Sequence, residues 1–436
     1  MTLAPPSDRV VRIGVLGCGT VGTALVGIVA GRSEALAVQS GARLEIGGIA
    51  VHDLGKPRTD VVPAALLTDR AEALVADPSI DVVVELIGGL HPAEGLVRAA
   101  LEAGKPVVTA NKELLASPEG VGLRALAKKQ GVDLLYEAAV AGAIPLVRAL
   151  RESLTGERIH RVMGIVNGTT NYILTEMGEE GADYSDALAR AQALGFAERD
   201  PTADVEGFDA AAKAAILAGV AFGYDVAGAD VMREGITGIR AADIAFAQRS
   251  GYVVKLLAIV ERTGDDAVSV RVHPAMVPTA HPLAGVRGAF NAVFIEGDAA
   301  GELMLYGQGA GGRPTASAVV GDLIDATRNL LAGTTAPSPD RQPARLLPES
   351  DLEARYYVSF DVADRPGVLA AVTRVFGENQ VSIRSMEQVD SAGAARLVFM
   401  THRTREGAVQ ATLDTLAGLE AVGRVGSVMR IVGDDR

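Results

Sequence analysis

The chain has 436 residues, 48% of them hydrophobic and 22% charged, enough apolar material for large cores, which excludes global disorder. At about 150 residues per domain, this length suits about three domains. The 41 basic and 54 acidic residues leave a net charge of −13, which argues against general binding to nucleic acid or anionic membrane. The single cysteine, Cys18, admits no intrachain disulfide and no cysteine pair for zinc, and no H-E-x-x-H stretch is present.

Val10 to Leu16 reads as a strand buried in a parallel sheet. Gly17-Cys18-Gly19-Thr20-Val21-Gly22 follows, then an Ala/Val/Leu/Ile stretch with helical composition. From Ile13 to Gly31 there are 19 residues without a charge, which by length alone fit a membrane span or signal peptide. The glycines at 14, 17, 19, 22, 27 and 31 favour a buried strand turning sharply into a buried helix. A cytoplasmic location is therefore expected. Further strands are expected from Leu44 to Val51, Val82 to Leu86, Pro106 to Thr109 and Val132 to Tyr136. Helices from Ala93 to Ala103 and Val121 to Gln130 separate the later ones. This alternation predicts a Rossmann-type doubly wound parallel sheet over residues 1–135.

Residues 136–331 are expected to form a second, α+β domain, with strands from Arg161 to Val166 and Val253 to Val260 and an Ala-rich helix from Asp209 to Phe222. Four prolines between Gly333 and Glu353 mark residues 332–354 as a connection. Residues 355–436 read β-α-β-β-α-β: strands from Arg355 to Val362, Val381 to Val389, Ala394 to Thr401 and Gly426 to Val432, with helices from Val368 to Glu378 and Glu406 to Leu416. That order predicts a ferredoxin-like unit.

A strand before the G-x-G-x-x-G and a helix after it make the motif a dinucleotide site. Gly17 permits the tight turn, Gly19 the close approach of a pyrophosphate and Gly22 the packing of helix on strand, with Thr20 and Val21 at the helix start where phosphates meet free N–H groups. Thr109-Ala110-Asn111-Lys112 ends the fourth expected strand, where open α/β sheets bind ligands; Lys112 reads equally as a surface charge at the start of a helix. Glu198 to Asp209 gathers five carboxylates into 12 residues. Asp209 opens an apolar helix with Lys213 four residues on, on the same face and among alanines. Those two residues read either as a helix-stabilising pair or as a polar pair open to a ligand.

Five segments in this order resemble homoserine dehydrogenase: Gly17–Gly22, Thr109–Lys112, Tyr136–Val140, Gly164–Tyr172 and Asp204–Lys213. The Asn167-Gly168-Thr169-Thr170-Asn171 and Asp204-to-Lys213 stretches are the most specific of these. Because the chain begins at the nucleotide-binding strand, with no kinase domain before it, it resembles the monofunctional form. Asp364-Arg365-Pro366-Gly367-Val368-Leu369 in the tail is similar to an ACT domain. The resemblance implies NAD(P)-dependent interconversion of L-homoserine and L-aspartate 4-semialdehyde on the way to threonine and methionine. It also implies roles for single residues. Lys213 matches the lysine that gives or takes the proton. Asp209 and Glu198 match carboxylates that hold the substrate, and Lys112 a lysine near the nicotinamide and the reacting hydroxyl. Gly195 and Gly309 match glycines that approach cofactor or substrate. Glu137, Val140, Gly142 and Ile144 match positions that hold a monovalent cation, typically Na+. Lys56 and Arg58 resemble a basic pair that reads the 2′-phosphate of NADPH, although His52 stands where many members carry Arg, so NADPH is expected to be preferred over NADH only modestly.

The tail is expected to regulate, with threonine as effector, and the chain to form a homodimer or homotetramer. A chain ending near Gly333 is expected to keep activity and lose the threonine response. Two rivals remain on the residues alone: a nucleotide- and amino-acid-binding sensor without turnover, and a related dehydrogenase of amino-acid metabolism. No serine stands in a G-x-S-x-G hydrolase motif.

Overall fold

In a computed structural model the described residues are 9–264, 267–391 and 394–433. They fall into two compact units, each assembled from separate stretches of chain: residues 1–162, 212–231 and 291–344 in the first, and 163–211, 232–290 and 345–436 in the second.

The first unit carries a six-stranded sheet with the order β3-β2-β1-β4-β5-β6. Its strands are β1 (Val10–Leu16), β2 (Arg43–Ala50), β3 (Leu67–Thr68), β4 (Val82–Glu85), β5 (Val107–Thr109) and β6 (Leu134–Leu135), and every pairing is parallel. The sequence shows five of these. β3 has only two residues, too short a run to stand out. The order reverses between β1 and β4, so the glycine turn after β1 lies at the switch point where such sheets bind ligands.

Alternation along the strands sends side chains to two cores. Val11, Ile13 and Val15 pack with Leu25, Val26 and Val29 of the helix Thr20–Gly31. Val83 and Val107 pack on the other side with Leu96, Leu101 and Leu123. The charge-free stretch is thus a strand and a buried helix. Among the described residues no single helix is long and apolar enough to cross a membrane. The first of these cores also takes in Ala316, Val319, Val320, Leu323 and Ala326 from the distant helix Gly312–Ala332. Their spacing makes one apolar helical face. The proline-rich connection is tied down as well: Gln342–Pro343 pairs with Tyr224–Asp225, and the Gln342 N–H donates to Gly223 O at 2.9 Å.

In the second unit the strands Tyr252–Thr263 and Ala267–Pro278 form a long antiparallel hairpin. The last 80 or so residues form the expected ferredoxin-like unit, with antiparallel strands in the order Val422–Ile431, Glu353–Val362, Ala394–Thr401, Ile383–Ser391. Phe360, Phe376 and Phe399 pack edge to face and tilted in its core.

This tail is not a loose appendage. Ala275 and Met276 pair in parallel with Arg430 and Ile431. The wholly buried Asp243 carboxylate, in the helix Ala241–Arg249, accepts the Arg240 N–H at 2.9 Å. Its other donors come from the tail: Tyr357 Oη at 2.7 Å, Ser427 Oγ at 2.6 Å and the Arg396 guanidinium. A chain cut at Gly333 would strip that carboxylate of these three donors and uncover the strand edge at Ala275 and Met276. We expect such a truncation to be unstable, rather than a clean separation of activity from regulation. In the intact chain, Arg396→Met should cost about 3–5 kcal/mol by urea unfolding, the usual loss on breaking a buried ion pair; a change within ~0.5 kcal/mol would show that Arg396 is not what compensates Asp243.

Candidate active site

The first unit presents a backbone cradle at the end of β1. The Gly17 N–H donates to Ala50 O at 2.9 Å, and Gly17 has φ +98°. A Cβ there would lie 2.6 Å from Leu86 O, and one at Gly22 would lie 2.5 Å from Gly17 O, whereas one at Gly19 would meet nothing within 4 Å. Gly17 thus serves the turn and Gly22 the close packing, and Gly19 leaves open space where a pyrophosphate can reach the N–H groups of the helix Thr20–Gly31. These residues fit a dinucleotide.

The loop after β2 is folded on itself. Asp53 Oδ1 accepts the Gly55 N–H at 2.8 Å, while Arg58 donates to the carbonyls of Lys56 and Asp53, both at 2.9 Å. Arg58 therefore braces the loop, and Lys56 stands exposed beside it.

At the carboxyl ends of β4 and β5 a buried polar cluster shapes the next loop. Glu85, wholly buried, accepts Thr109 Oγ1 at 2.5 Å and the N–H groups of Ile87 and Gly88 at 2.7 and 3.1 Å. Asn111 Nδ2 donates to Gly89 O at 2.7 Å, and Asn111 Oδ1 caps the short helix Lys112–Leu115 by accepting the Leu114 N–H. The helix cap is thus Asn111. Lys112 opens the helix with its ammonium 3.9 Å from Glu113 Oε1. Glu85 went unnoticed in the sequence, where it reads as the end of an apolar run.

The Glu137–Ile144 loop is buried except at Ala143, with positive φ at both Ala141 (+58°) and Gly142 (+56°). A non-glycine residue in that region marks stored strain, which gathers at functional sites. A Cβ on Gly142 would overlap the backbone of Gly309, and the Ala143 N–H donates to Gln308 O at 3.1 Å. The Gly307-to-Gly311 loop in turn leads to Gly312, where a Cβ would lie 2.9 Å from Thr20 Cγ2. The nucleotide loop, the Gly309 loop and the 137–144 loop thus adjoin one another within the first unit. Both Glu137 carboxylate oxygens accept backbone N–H groups, from Val147 and Arg148 at 2.8 Å each. Donors for a cation here would be chiefly carbonyl oxygens, which suit a hard ion of low charge.

In the second unit Asn167 is the organiser. It caps the helix Gly168–Glu179 by accepting the Thr170 N–H at 2.9 Å, and its Nδ2 donates to Asp204 Oδ1 at 2.7 Å and Asp209 Oδ2 at 2.8 Å. Asp209 is buried, and Glu198 is exposed in the segment before it. Gly195 takes φ +76° in the turn before Phe196, whose carbonyl accepts Thr169 Oγ1 at 2.6 Å. The cap role of Asn167 was legible as an Asn ahead of a helix; its grip on two acids was not. Asp209 and Lys213 lie one turn apart on the helix Phe208–Phe222, and Lys213 is half-buried.

Comparison with known proteins agrees with this geometry. Residues 17–137 match the homoserine dehydrogenase NAD-binding domain, residues 145–324 match homoserine dehydrogenase, and residues 356–421 match the ACT domain. Homoserine dehydrogenase of Mycobacterium tuberculosis is 50% identical over 98% of this chain and 99% of its own. That of Corynebacterium glutamicum is 49% identical over 97% and 96%. The crystal structure of a homoserine dehydrogenase from Thiobacillus denitrificans superposes with a TM-score of 0.92 at 40% identity, covering 98% of this chain and 99% of that one. A hyperthermophilic archaeal homoserine dehydrogenase in complex with NADPH gives a TM-score of 0.62 at 31% identity over 77% of this chain and all (100%) of that one. With a nucleotide cradle, the Asp209–Lys213 helix and near full-length matches in agreement, this chain belongs to the homoserine dehydrogenase family and ends in an ACT domain.

Proposed function

We propose that this oxidoreductase interconverts L-aspartate 4-semialdehyde and L-homoserine with NADPH as the preferred cofactor, and that Lys213 exchanges the proton at the substrate oxygen. The observation that carries the proton role is the helix Phe208–Phe222, which sets Lys213 one turn after an Asp209 already fixed by Asn167. The bound nicotinamide supplies or accepts the hydride. An ammonium beside the reacting oxygen stabilises the negative charge that develops there and supplies its proton in the direction of reduction. Lys112 adds a second positive charge near that oxygen. Asp209 and Glu198 receive the substrate's ammonium, Gly195 and Gly309 allow close approach of the ligands, and Gly17, Gly19, Thr20, Val21 and Gly22 hold the pyrophosphate.

The carbonyls of Glu137, Val140, Gly142 and Ile144 are assigned to a monovalent cation, Na+ first. Residues 1–135 bind the nucleotide, with the helix Gly312–Ala332 built into their core. Residues 136–331 hold the substrate, 332–354 connect, and 355–436 answer to an amino-acid effector, for which we name threonine. A cytoplasmic homodimer or homotetramer completes the reading.

Three substitutions test it. Lys213→Ala should keep NADPH affinity and the circular dichroism spectrum while losing ~10²-fold or more in kcat; turnover like the wild type would remove Lys213 from the chemistry. Glu198→Gln should raise KM for homoserine more than it lowers kcat, because a carboxylate paired with the substrate ammonium acts in ground and transition states alike. A collapse of kcat at constant KM would make Glu198 a chemical group instead. Finally, Lys56→Ala/Arg58→Ala should lower kcat/KM for NADPH more than for NADH, and His52→Arg should raise the NADPH preference. Lys56→Ala alone is the cleaner probe, because Arg58 also braces its own loop. An unchanged cofactor ratio in the double variant would mean that the loop does not read the 2′-phosphate.

A further inference from the structure

Away from the nucleotide cradle, the first unit contains a cavity of about 480 Å³. Its walls are the helix Pro118–Gln130, β6, the last turns of the helix Phe208–Phe222 and the segment Thr335–Arg341. Along that second helix, Gly219 lies roughly 9 Å beyond Lys213 at 1.5 Å per residue, so the cavity is separate from the end that carries Asp209 and Lys213.

Four cations line it: Arg151 is paired with Glu152 at 2.7 Å and Lys128 with Asp340, which leaves Arg124 and Arg341. Arg124 donates to Asp225 Oδ1 at 2.7 Å and to Leu115 O at 3.1 Å. Arg341 donates to Tyr136 Oη at 2.7 Å and stands 3.8 Å from the same Asp225 oxygen. Their side chains are 16% and 13% exposed, so these are semi-buried charges rather than solvated surface ones. Arg341 packs against Gly219, where any Cβ would overlap its guanidinium. A glycine inside a helix costs about 1 kcal/mol relative to alanine, and here it makes room for that one cation.

Between these two the charge balance is uneven: Arg124 and Arg341 share the one Asp225 carboxylate. Burial, and next the like charge of Arg341, hold Arg124 below the usual guanidinium range, against the pull of Tyr136 and Asp225. The other acids on the wall are already engaged. Asp133 accepts Asn329 Nδ2 and the Ala336 N–H, each at 2.7 Å, and Glu157 accepts the N–H groups of Ala299 and Ala300 at 2.9 and 2.7 Å. Leu150, Leu154 and Ile159 give the cavity an apolar side.

We propose that this cavity binds a small organic anion, whose carboxylate or phosphate is held by the forks of Arg124 and Arg341 and whose apolar body lies against Leu150 and Leu154. Guanidinium forks match both oxyanions bidentately, and a few hundred Å³ is the size of an ordinary small-molecule site.

The test uses the full-length protein saturated with NADPH and homoserine, a pair that does not turn over and that keeps other carboxylates out of the substrate site. Hexanoate and inorganic phosphate are each titrated calorimetrically, which separates the two oxyanion classes. Expected is one saturable site per chain for at least one probe, weakened roughly tenfold or more in Arg341→Met and in Arg124→Met, with NADPH affinity unchanged. Arg341→Lys keeps the charge but loses the fork. It should also weaken binding, and it carries the reading if Arg341→Met does not fold. No saturable binding of either probe, or equal affinity in wild type and these variants, overturns the proposal. Because no outcome depends on turnover, its failure is distinct from failure of the catalytic reading.

Discussion

The carboxamide of Asn167 is the joint on which the acidic part of the site depends. It accepts a helix-capping N–H from Thr170 on one side and donates both of its own hydrogens to carboxylates on the other, Asp204 and Asp209. Two acids drawn to one NH2 group repel each other, and the donor between them offsets that repulsion. The same amide fixes the start of the helix Gly168–Glu179 and the start of the helix Phe208–Phe222, whose next turn carries Lys213. An aspartate at position 167 would place a third carboxylate against the other two and lose both donated hydrogens.

In the first unit the organising constraint is backbone contact without side chains. Gly142 lies against Gly309, and Gly312 against Thr20, so three loops from distant parts of the chain approach within the space of a missing Cβ. Gly309 faces Asn291, which is almost fully buried and whose amide nitrogen and oxygen both lack a hydrogen-bond partner. A carboxamide in that state costs free energy unless a group outside the protein satisfies it. Its place beneath the Gly309 loop puts the unmet demand close to where the cation and cofactor are assigned.

What the sequence discloses follows from the range of each interaction. The strands of the parallel sheet, the glycine turn and the order of the tail are local patterns of apolar runs, punctuation and helical period, and the tail helix Val368–Glu378 is found at the expected bounds. The turn at Gly17 and the close packing at Gly22 act over a few residues, so their demand for glycine shows in the sequence. Contacts across long separations are not legible: Glu85 with Thr109, Asn167 with Asp204 and Asp209, and the seam between Asp243 and the tail. Composition marks residues 332–354 as a connection, but not that it lies along Tyr224–Asp225 and supplies Arg341 to a cavity. The helix Gly312–Ala332 went unremarked in the sequence, and nothing local tells which core its apolar face meets.

Burial beside the 137–144 loop sets a link between protons and the proposed cation. Asp322 is wholly buried, and its carboxyl is pushed up from 3.8 to about 8, by burial first, although the Glu137 N–H donates to it at 2.7 Å. Glu137 is raised as well, burial outweighing the N–H groups of Arg148 and Val147. A carboxyl whose pKa is higher folded than unfolded holds a proton that the unfolded chain has released. Between the two pKa values the folded state therefore loses stability as pH rises. A cation on the neighbouring carbonyls favours the ionised form of both acids and so opposes that loss.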